Sequence, residues 1–563
     1  MFKKKFYNNF KNYPAIYERF LLLIITASFL MSVFQGYAAA IAPPLNEGKT
    51  LPREFMFERS TSGAHGAMIS PASSRRGGVS PAIGGGVGAN LADYIKTNKN
   101  VSVIIIMVEF SDVKMSPAGL AGINSMSVEM ARFFELQSNG KIQISTTSTP
   151  RVYNLSKPMG NYGNSDDAES LVIDSVAAAD GDIDFSKFQC VMVAHAGYGD
   201  ETNPSDNGTQ DIWSRYWYSY GYNSINTNDG VKVDGATIVP EFEYEEVSPL
   251  GVICHEFGHQ LGLPDLYDTS YSTEGGIGRW SLMATGAYNG VPRGSKPAIL
   301  DPWCRKRLGW IEYETLSGVY NLFNFEFNKV YRIAADGLNP PIDYFLFEKR
   351  AAAPGTFDEG LPGEGLLIYH INATPGNESS LSPNNNKPGL IWLICANSGD
   401  HLTITPRSKV RGLSTDPYPI NGNTDFYSHS NPSSKTWTGK ESNVALRNMK
   451  RVSSGASLTI TADIYAGAQP AQFFGASSFC VPGVDTDIIL MVKPQAAIEG
   501  KLTVSFSGSS YINGEFDLTQ SSAGKYYYTL LKLSSKPDRL EITLKGVKKE
   551  NQQAITEQHI LYY

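Results

Sequence analysis

The residues best suited to chemistry in this sequence lie in the segment 248–268, which reads SPLGVICHEFGHQLGLPDLYD. It places His255 and His259 four positions apart, with Glu256 directly after the first histidine. Side chains four residues apart on a helix share one face, so both imidazoles can bind one cation. Glu256 can reach a water on that cation without binding the metal itself. The pattern predicts a Zn²⁺ ion with a carboxylate base beside it.

A helix has to position these side chains, and the flanking residues predict one. Ser248 supplies a capping oxygen and Pro249 suits the first helical position. Gly262 suits a left-handed C-terminal cap, and Pro264 prevents the helix from continuing. The apolar residues that recur at helical spacing are Leu250, Ile253, Phe257 and Leu261. The histidines are therefore expected on a helix that packs against the core.

A third metal ligand is expected just beyond this helix. Asp265 lies six residues after His259, and Gly262 lets the backbone turn so that such a ligand can approach. Asp268 is the competing candidate, although an aspartate in a turn after a helix is common for other reasons. The residues alone leave both aspartates open.

Four segments resemble one known family. HEFGHQLGLPDLYD resembles the active-site segment of the immune inhibitor A-like family of secreted zinc metalloendopeptidases, in the metzincin clan. GRWSLMATGAYNG (278–290), DPWCRKRLGWIE (301–312) and FLFEKRAAAPGTFDEGLPGEGLLIYHIN (345–372) resemble later segments of that family in the same order. The resemblance covers about residues 100–465 and leaves out the C-terminal region.

This resemblance implies roles for individual residues. It implies His255, His259 and Asp265 as zinc ligands and Glu256 as the general base. Glu256 would take a proton from the attacking water and deliver it to the departing amine.

The turn after the zinc segment departs from the clan in one respect. The resemblance makes Met283 a structural residue beneath the metal. Some metzincins place a transition-state tyrosine two residues after that methionine, where this chain has Thr285. Tyr288 is the available substitute as an oxyanion donor, and packing is its alternative role.

Composition narrows the class of protein. The chain has 563 residues, which predicts two to four domains, and 42% of them are apolar, which excludes a wholly disordered chain. Its 48 basic and 55 acidic residues give a formal charge of −7, so no electrostatic footprint for nucleic acid is present.

The N-terminus predicts export. A basic stretch, an apolar run over 20–34 and the small residues at 38–40 are typical of a signal peptide, with cleavage after Ala40. A membrane anchor is the alternative, but the run is shorter than the ~20 residues that usually span a bilayer. The mature chain is expected to be soluble, without a membrane span, and extracellular or in the cell envelope.

Composition and residue pattern divide the sequence into five parts. The first two are a signal peptide over 1–40 and a propeptide or flexible linker over 41–98. We expect an α/β (α+β) metzincin-like catalytic domain over 99–314, a β-rich domain packed on it over 315–468, and a C-terminal Ig-like β-sandwich over 469–563. Alternating strands and helices indicate the α/β part, and short strands separated by Gly, Asn and Pro indicate the later parts.

Other polar clusters give weaker signals. The acidic loop 199–211 carries Asp200, Glu201, Asp206 and Asp211, which makes a structural Ca²⁺ site a further hypothesis beside the zinc. The five cysteines show no disulfide framework. Among the other histidines, His195 and His370 are expected in the core, and His401 shows no ligand spacing.

The sequence thus predicts a secreted zinc endopeptidase acting on protein or peptide substrates, with a C-terminal domain that binds a surface or a substrate. Two other functions compete with it. One is a non-catalytic adhesin or carbohydrate-binding protein on a protease scaffold, for which the intact Glu256 has no use. The other is a zinc hydrolase of small peptides or peptidoglycan.

Overall fold

The computed structural model describes residues 86–562 except for short gaps, namely 165, 202–209, 220–221, 244–249, 336–337, 339, 386, 405–409, 429, 443, 455–456, 467–473, 482–483, 495–497, 507–511, 521–526, 535–538, 548 and 550–553. The predicted signal peptide, most of the predicted linker and the predicted helix start at Ser248 and Pro249 lie outside the described residues. Within them, no helix combines the length and the apolar character that crossing a bilayer requires.

The first region is a mixed α/β layer structure. Its elements in chain order are α1 (Tyr94–Thr97), β1 (Asn100–Glu109), α2 (Pro117–Gln137), β2 (Gln143–Ser148), β3 (Tyr153–Asn154), α3 (Gly160–Gly163), α4 (Ala168–Ala179), β4 (Cys190–Tyr198), β5 (Arg215–Tyr218), β6 (Ile225–Asn226), β7 (Lys232–Val233), β8 (Gly235–Phe242), α5 (Leu250–Gln260) and α6 (Pro302–Arg307). Short 3₁₀ turns cover Phe185–Lys187, Gly278–Trp280 and Thr285–Tyr288.

The sheet of this region has the order β2-β1-β4-β8-β5, with β3 also paired to β1. All pairs are parallel except β5 with β8. The central strands are almost continuously apolar, as in VSVIIIMV of β1, because helices and loops cover both faces of a parallel sheet. One core contains α2 and α5, and a second core on the other face contains α4.

Helix α2 is longer than its apolar pattern predicts. The periodic residues indicate a helix from Ser127, but the structure starts it at Pro117. The Ser116 hydroxyl caps it by accepting a hydrogen bond from the Gly119 N–H at 2.9 Å. The helix therefore begins at a Ser-Pro pair of the same kind as the predicted start at Ser248.

The stretch 86–98, which composition assigns to the end of the linker, packs against the first region. Val87 forms a parallel bridge with Val233, and the Leu91 N–H donates to the carbonyl of Gln260 at 2.9 Å. Leu91 and Ile95 are buried in the same core as α5. Two apolar anchors in a Gly-rich stretch are too few to form a periodic pattern, so composition alone could not place them.

A β-rich region follows. It contains β9 (Glu314–Thr315), β10 (Gly318–Asn324), β11 (Val330–Ala334), β12 (Asp343–Arg350), β13 (Gly365–Asn372), α7 (Pro375–Glu378), β14 (Ile391–Leu393), β15 (Val444–Ser454) and β16 (Ser457–Ala466). The strand order is β14-β13-β12-β11-β9 in one sheet and β10-β16-β15 in another.

Buried charges join the β-rich region to the first one. The Arg350 guanidinium donates to both carboxylate oxygens of Asp358, at 2.5 and 2.6 Å, and to the carbonyl of Trp280 at 3.1 Å. Arg305 of α6 pairs with Glu348 of β12. Because buried ions need partners, these contacts fix where the two regions meet.

The C-terminal strands are β17 (Phe474–Val481), β18 (Val484–Pro494), β19 (Leu502–Phe506), β20 (Gly514–Gln520), β21 (Tyr527–Lys532), β22 (Arg539–Val547) and β23 (Ala554–Tyr562). They pair antiparallel in the order β17-β18-β21-β20-β19-β22-β23 around an apolar core of their own. The structure is thus mixed α/β followed by β-rich regions, and the β-sandwich form of the last one stays a prediction.

Candidate metal centre

Helix α5 carries the two histidines and ends as the sequence predicts. The Gly262 N–H donates to the His259 carbonyl and the Leu263 N–H to the Gly258 carbonyl, with Gly262 at a φ of +97°. These two bonds form a Schellman cap, which turns the chain sharply back toward the helix. The apolar side of α5 is buried, and Phe257 packs on Phe134 of α2 with ring centroids 5.4 Å apart. Packing therefore fixes the direction in which the histidines point.

The chain that returns after the cap brings Asp265 to both imidazoles. Asp265 Oδ1 lies 3.1 Å from His255 Nε2 and 3.2 Å from His259 Nε2. The two rings are 4.9 Å apart and nearly perpendicular. One ligand atom from each residue lies within 4.8 Å of the others. Of the two aspartates that the sequence left open, Asp265 is the one that faces the histidines.

Asp268 has a different use. Its carboxylate accepts hydrogen bonds from the hydroxyls of Ser270 and Ser272 and from the N–H of Thr273, at 2.5, 2.6 and 2.8 Å. Burial works against its ionisation, yet these hydrogen bonds hold the pKa of Asp268 below its ordinary value. Asp268 therefore organises the loop that follows the site.

The outer nitrogen of each histidine is also held. His255 Nδ1 lies 2.9 Å from the Leu282 carbonyl, and His259 Nδ1 lies 2.9 Å from the Leu263 carbonyl. Because a carbonyl only accepts, Nδ1 carries the proton and Nε2 presents a lone pair when the ring is neutral. Two imidazoles oriented in this way, with one carboxylate, fit the donor set of a zinc site with three protein ligands.

The loop that contains Met283 lies under the helix. The Leu266 N–H donates to the Met283 carbonyl at 2.7 Å, and a Cβ on Gly258 would lie 2.7 Å from Met283 Sδ. Only glycine at position 258 leaves room for this sulfur between the turns that carry the histidines. Met283 is fully buried.

Electrostatics in the site follow from burial and from the carboxylates. Burial raises the pKa of Glu256 above its ordinary value, against the opposing effect of the two histidines. Burial lowers the pKa of His259, but the charge of Asp265 outweighs it and raises this pKa to about 9. The imidazoles in turn overcome burial and lower the pKa of Asp265. Without a metal the ligands thus hold a proton among them, which a cation would replace.

Two tyrosines lie near these charges. Tyr288, the expected oxyanion donor, is half-buried at the end of a 3₁₀ turn and packs against the core. Tyr267 was not selected from the sequence, although it stands two residues after Asp265. Its ring centroid is 6.2 Å from that of His255, and its pKa lies well above the ordinary value because of burial and the charges of Asp265 and Glu256.

A second cluster escaped the sequence analysis. Cys395, His401 and Asp416 also bring one potential ligand atom each within 4.8 Å of the others. However, Asp416 Oδ2 already accepts from Trp280 Nε1, from the Leu413 N–H and from His401 Nε2, at 3.2, 2.9 and 3.2 Å. This carboxylate acts as a hydrogen-bond hub, and its contact with Trp280, 136 residues earlier, could not have been predicted from sequence spacing.

Comparison with known proteins places the first cluster in a family context. Residues 174–311 match the model of the immune inhibitor A peptidase M6 catalytic domain. The chain is 25% identical over 250 residues to the pre-pro-metalloprotease PrtV of Vibrio cholerae serotype O1, a match that covers 37% of this chain and 27% of that protein. It is 36% identical over 119 residues to immune inhibitor A of Bacillus thuringiensis subsp. alesti, covering 20% of this chain and 17% of the relative.

The chain thus spans about a quarter of the first relative and less of the second. No solved structure matches it. The resemblance inferred from the four segments is nonetheless confirmed by the matched model and by both relatives: residues 174–311 are similar to the catalytic domain of the immune inhibitor A peptidases, and both relatives are metalloproteases or immune inhibitor A by name.

Proposed function

We propose that this protein is a secreted zinc-dependent endopeptidase that cleaves extracellular proteins. The observation that carries the proposal is the convergence of His255, His259 and Asp265 with the buried carboxyl group of Glu256 on the same helix. A non-catalytic binding protein would gain nothing from burying that carboxylate beside two imidazoles, since its desolvation costs free energy.

The three ligands would hold Zn²⁺, and Zn²⁺ bound there would polarise a carbonyl group and acidify a bound water. Hydrogen bonds to the carbonyls of Leu282 and Leu263 keep Nε2 of both imidazoles directed at a common point. Burial keeps bulk water from competing for the same ligand atoms.

Glu256 would move the proton. As the general base, its carboxylate would accept a proton from the water that attacks the scissile carbonyl, and it would return that proton to the departing amine. Its raised pKa suits both halves of this transfer near neutral pH. Tyr288 would donate to the oxyanion, and Tyr267 is a second phenol in reach of the same charges.

The test compares Glu256→Ala and Glu256→Gln with the unchanged chain in cleavage of casein and of a mixed peptide library. We expect at least a ~10²-fold loss of turnover in both variants with zinc content retained, because the base is lost and the ligands are not. Glu169→Ala on α4 is the control for mutating a helical glutamate. Turnover near that of the unchanged chain in both Glu256 variants would refute the proposal.

The library also separates the two enzymatic alternatives. An endopeptidase cleaves inside long chains, whereas a hydrolase of small peptides or peptidoglycan leaves casein intact. Export through the segment 1–40, a latent form held by 41–98 and binding of a surface or substrate by a C-terminal β-sandwich belong to the same proposal.

A further inference from the structure

A row of aromatic rings leads outward from the proposed metal site. The ring centroid of Tyr267 is 6.2 Å from that of His255, and the ring of Tyr271 stacks on Tyr267 at 6.0 Å with 22° between the ring planes. Both tyrosines are half-buried, so each keeps part of its surface accessible. The two tyrosines therefore form a wall beside one of the expected zinc ligands.

The backbone at Tyr271 is strained. Its φ is +56°, a left-handed conformation that glycine and asparagine adopt readily and that a residue with a bulky side chain rarely adopts. The turn needs only a backbone N–H here, because the Tyr271 N–H donates to the Asp268 carbonyl at 2.8 Å. Glycine or asparagine would make the same turn at a lower cost in free energy. A bulky residue held in such a conformation indicates that its side chain has a use.

The surrounding loop holds Tyr271 in this conformation. Asp268 anchors the residues on both sides of it, because its carboxylate accepts from the hydroxyls of Ser270 and Ser272 at 2.5 and 2.6 Å. Gly275 closes the loop against the same residue, since a Cβ at position 275 would lie 2.5 Å from the Asp268 backbone nitrogen. The buried carboxylate of Asp268 therefore fixes where the Tyr271 ring lies.

We propose that Tyr267 and Tyr271 form a substrate subsite that selects an aromatic or large apolar side chain next to the scissile bond. This subsite rests on the proposed peptidase function, which puts the cleaved bond at the three ligands. The side chain of a residue that flanks this bond starts within about 4 Å of the reacting carbonyl, which places it beside rings this close to His255. An aromatic side chain can stack on a tyrosine ring and gain free energy beyond the area that it buries.

Charge favours an apolar side chain over a basic one. The faces of tyrosine rings also attract lysine and arginine side chains. With Zn²⁺ bound, however, the carboxylates of Asp265 and Glu256 would offset the charge of the metal, so a substrate cation would gain no net attraction to the site. Moving that cation against half-buried rings would also cost part of its hydration. We therefore expect phenylalanine, tyrosine or leucine at this position of the substrate.

The cleavage sites made by the unchanged protein test the subsite first. The full-length zinc-loaded protein is incubated with a mixed peptide library, and the fragments are sequenced by mass spectrometry. We expect an aromatic or large apolar residue at one fixed position beside the cleaved bond, with kcat/KM at least ~10-fold higher than for the same peptide with alanine there. Cleavage without this preference, or a preference for lysine or arginine, overturns the proposal.

Variants at position 271 locate the preference. Tyr271→Asn removes the ring and suits the left-handed backbone, so this variant should fold, keep its zinc and lose most of the preference. Tyr271→Phe keeps the ring and should stay within about 2-fold of the original preference. Tyr222→Ala, which removes a tyrosine that is 89% exposed, is the control. A preference that is unchanged in Tyr271→Asn, or that falls equally in Tyr222→Ala, contradicts the subsite.

Peptide binding separates the subsite from the peptidase function. Glu256→Gln should bind zinc without turnover, so calorimetry on this variant can measure the Kd of peptides with phenylalanine, lysine or alanine at one central position. We expect the phenylalanine peptide to bind at least ~10-fold more tightly than the alanine peptide, and added Tyr271→Asn to remove the difference. Equal Kd values overturn the subsite. Selective binding by a protein whose unchanged chain cleaves nothing supports the subsite and overturns only the peptidase function.

Discussion

Among the residues that the structure describes, two clusters each bring three potential metal ligands within 4.8 Å of one another, and they differ in the hydrogen bonds that their carboxylate already accepts. Asp265 faces the two imidazoles, whose outer nitrogens are held by backbone carbonyls. Asp416 accepts hydrogen bonds from an indole, a backbone N–H and an imidazole on one oxygen and from Asn397 on the other. Proximity of ligand atoms is therefore not sufficient for a metal site, because the lone pairs must also be available.

The sharpest test replaces, one at a time, the two aspartates that follow the helix of the proposed zinc site. Asp265→Ala should lower zinc affinity and caseinolytic turnover by at least ~10²-fold, because a ligand is lost and the histidines lose their orienting charge. Asp268→Ala should keep stoichiometric zinc, since its carboxylate serves the Ser270 and Ser272 hydroxyls. Zinc content after dialysis and turnover measure both effects. Loss of zinc in Asp268→Ala alone would reverse the assignment.

The second test removes the hub of the other cluster. Asp416→Ala leaves several buried donors without an acceptor, including the Trp280 indole, so we expect a loss of at least about 3 kcal/mol in the free energy of unfolding. Zinc content should stay the same as in the unchanged chain. Urea unfolding and metal analysis measure the two quantities. Cys395→Ser is the control, since it keeps the hub, and a drop in zinc in either variant would show that this cluster binds metal.

The third test concerns His195, which belongs to neither cluster and has no carboxylate partner among the hydrogen bonds of the described residues. His195 is fully buried in β4, and burial lowers its pKa to about 4 from an ordinary 6.5. The unfolded chain therefore takes up the proton first, and stability falls as pH drops below 6.5. Its share is about 1.5 kcal/mol between pH 6.5 and 5. His195→Leu should reduce the pH dependence of the free energy of unfolding, measured by urea unfolding between pH 6.5 and 5, by that amount. His401→Gln is the comparison, and a profile as steep as that of the unchanged chain contradicts the prediction.

The sequence predicted the local structure around the candidate site better than it predicted the rest of the fold. The helix of His255 and His259 and its glycine cap follow from local rules over 21 consecutive residues. The residues alone left Asp265 and Asp268 both open, and the fold places Asp265 beside the histidines. Strand β1 is likewise predicted by its apolar run with β-branched residues, and a helix over 168–179 is predicted where the structure has α4. Their signals are local, so no knowledge of the fold was needed.

What the sequence could not predict depends on chain segments that meet only in the fold. Asp416 accepts a hydrogen bond from Trp280, which lies 136 residues earlier in the chain, and Glu201 reaches Glu243 only because β4 and β8 are neighbours. The early start of α2 was missed for another reason, because its first turns are rich in Gly and Ala and show no apolar stripe. A capping serine followed by proline was the one local sign of it.

The apolar core that contains Met283 extends into the β-rich region, which limits how far this protein can be truncated. The same apolar cluster holds Met283 and Phe257 together with Leu346, Leu367 and Tyr369 from β12 and β13. The matched catalytic segment ends at 311, before those strands begin. Truncation at residue 311 would remove side chains that pack in the same core as the histidine helix and would expose apolar surface to water. The smallest segment that folds by itself therefore has to extend well past the matched segment.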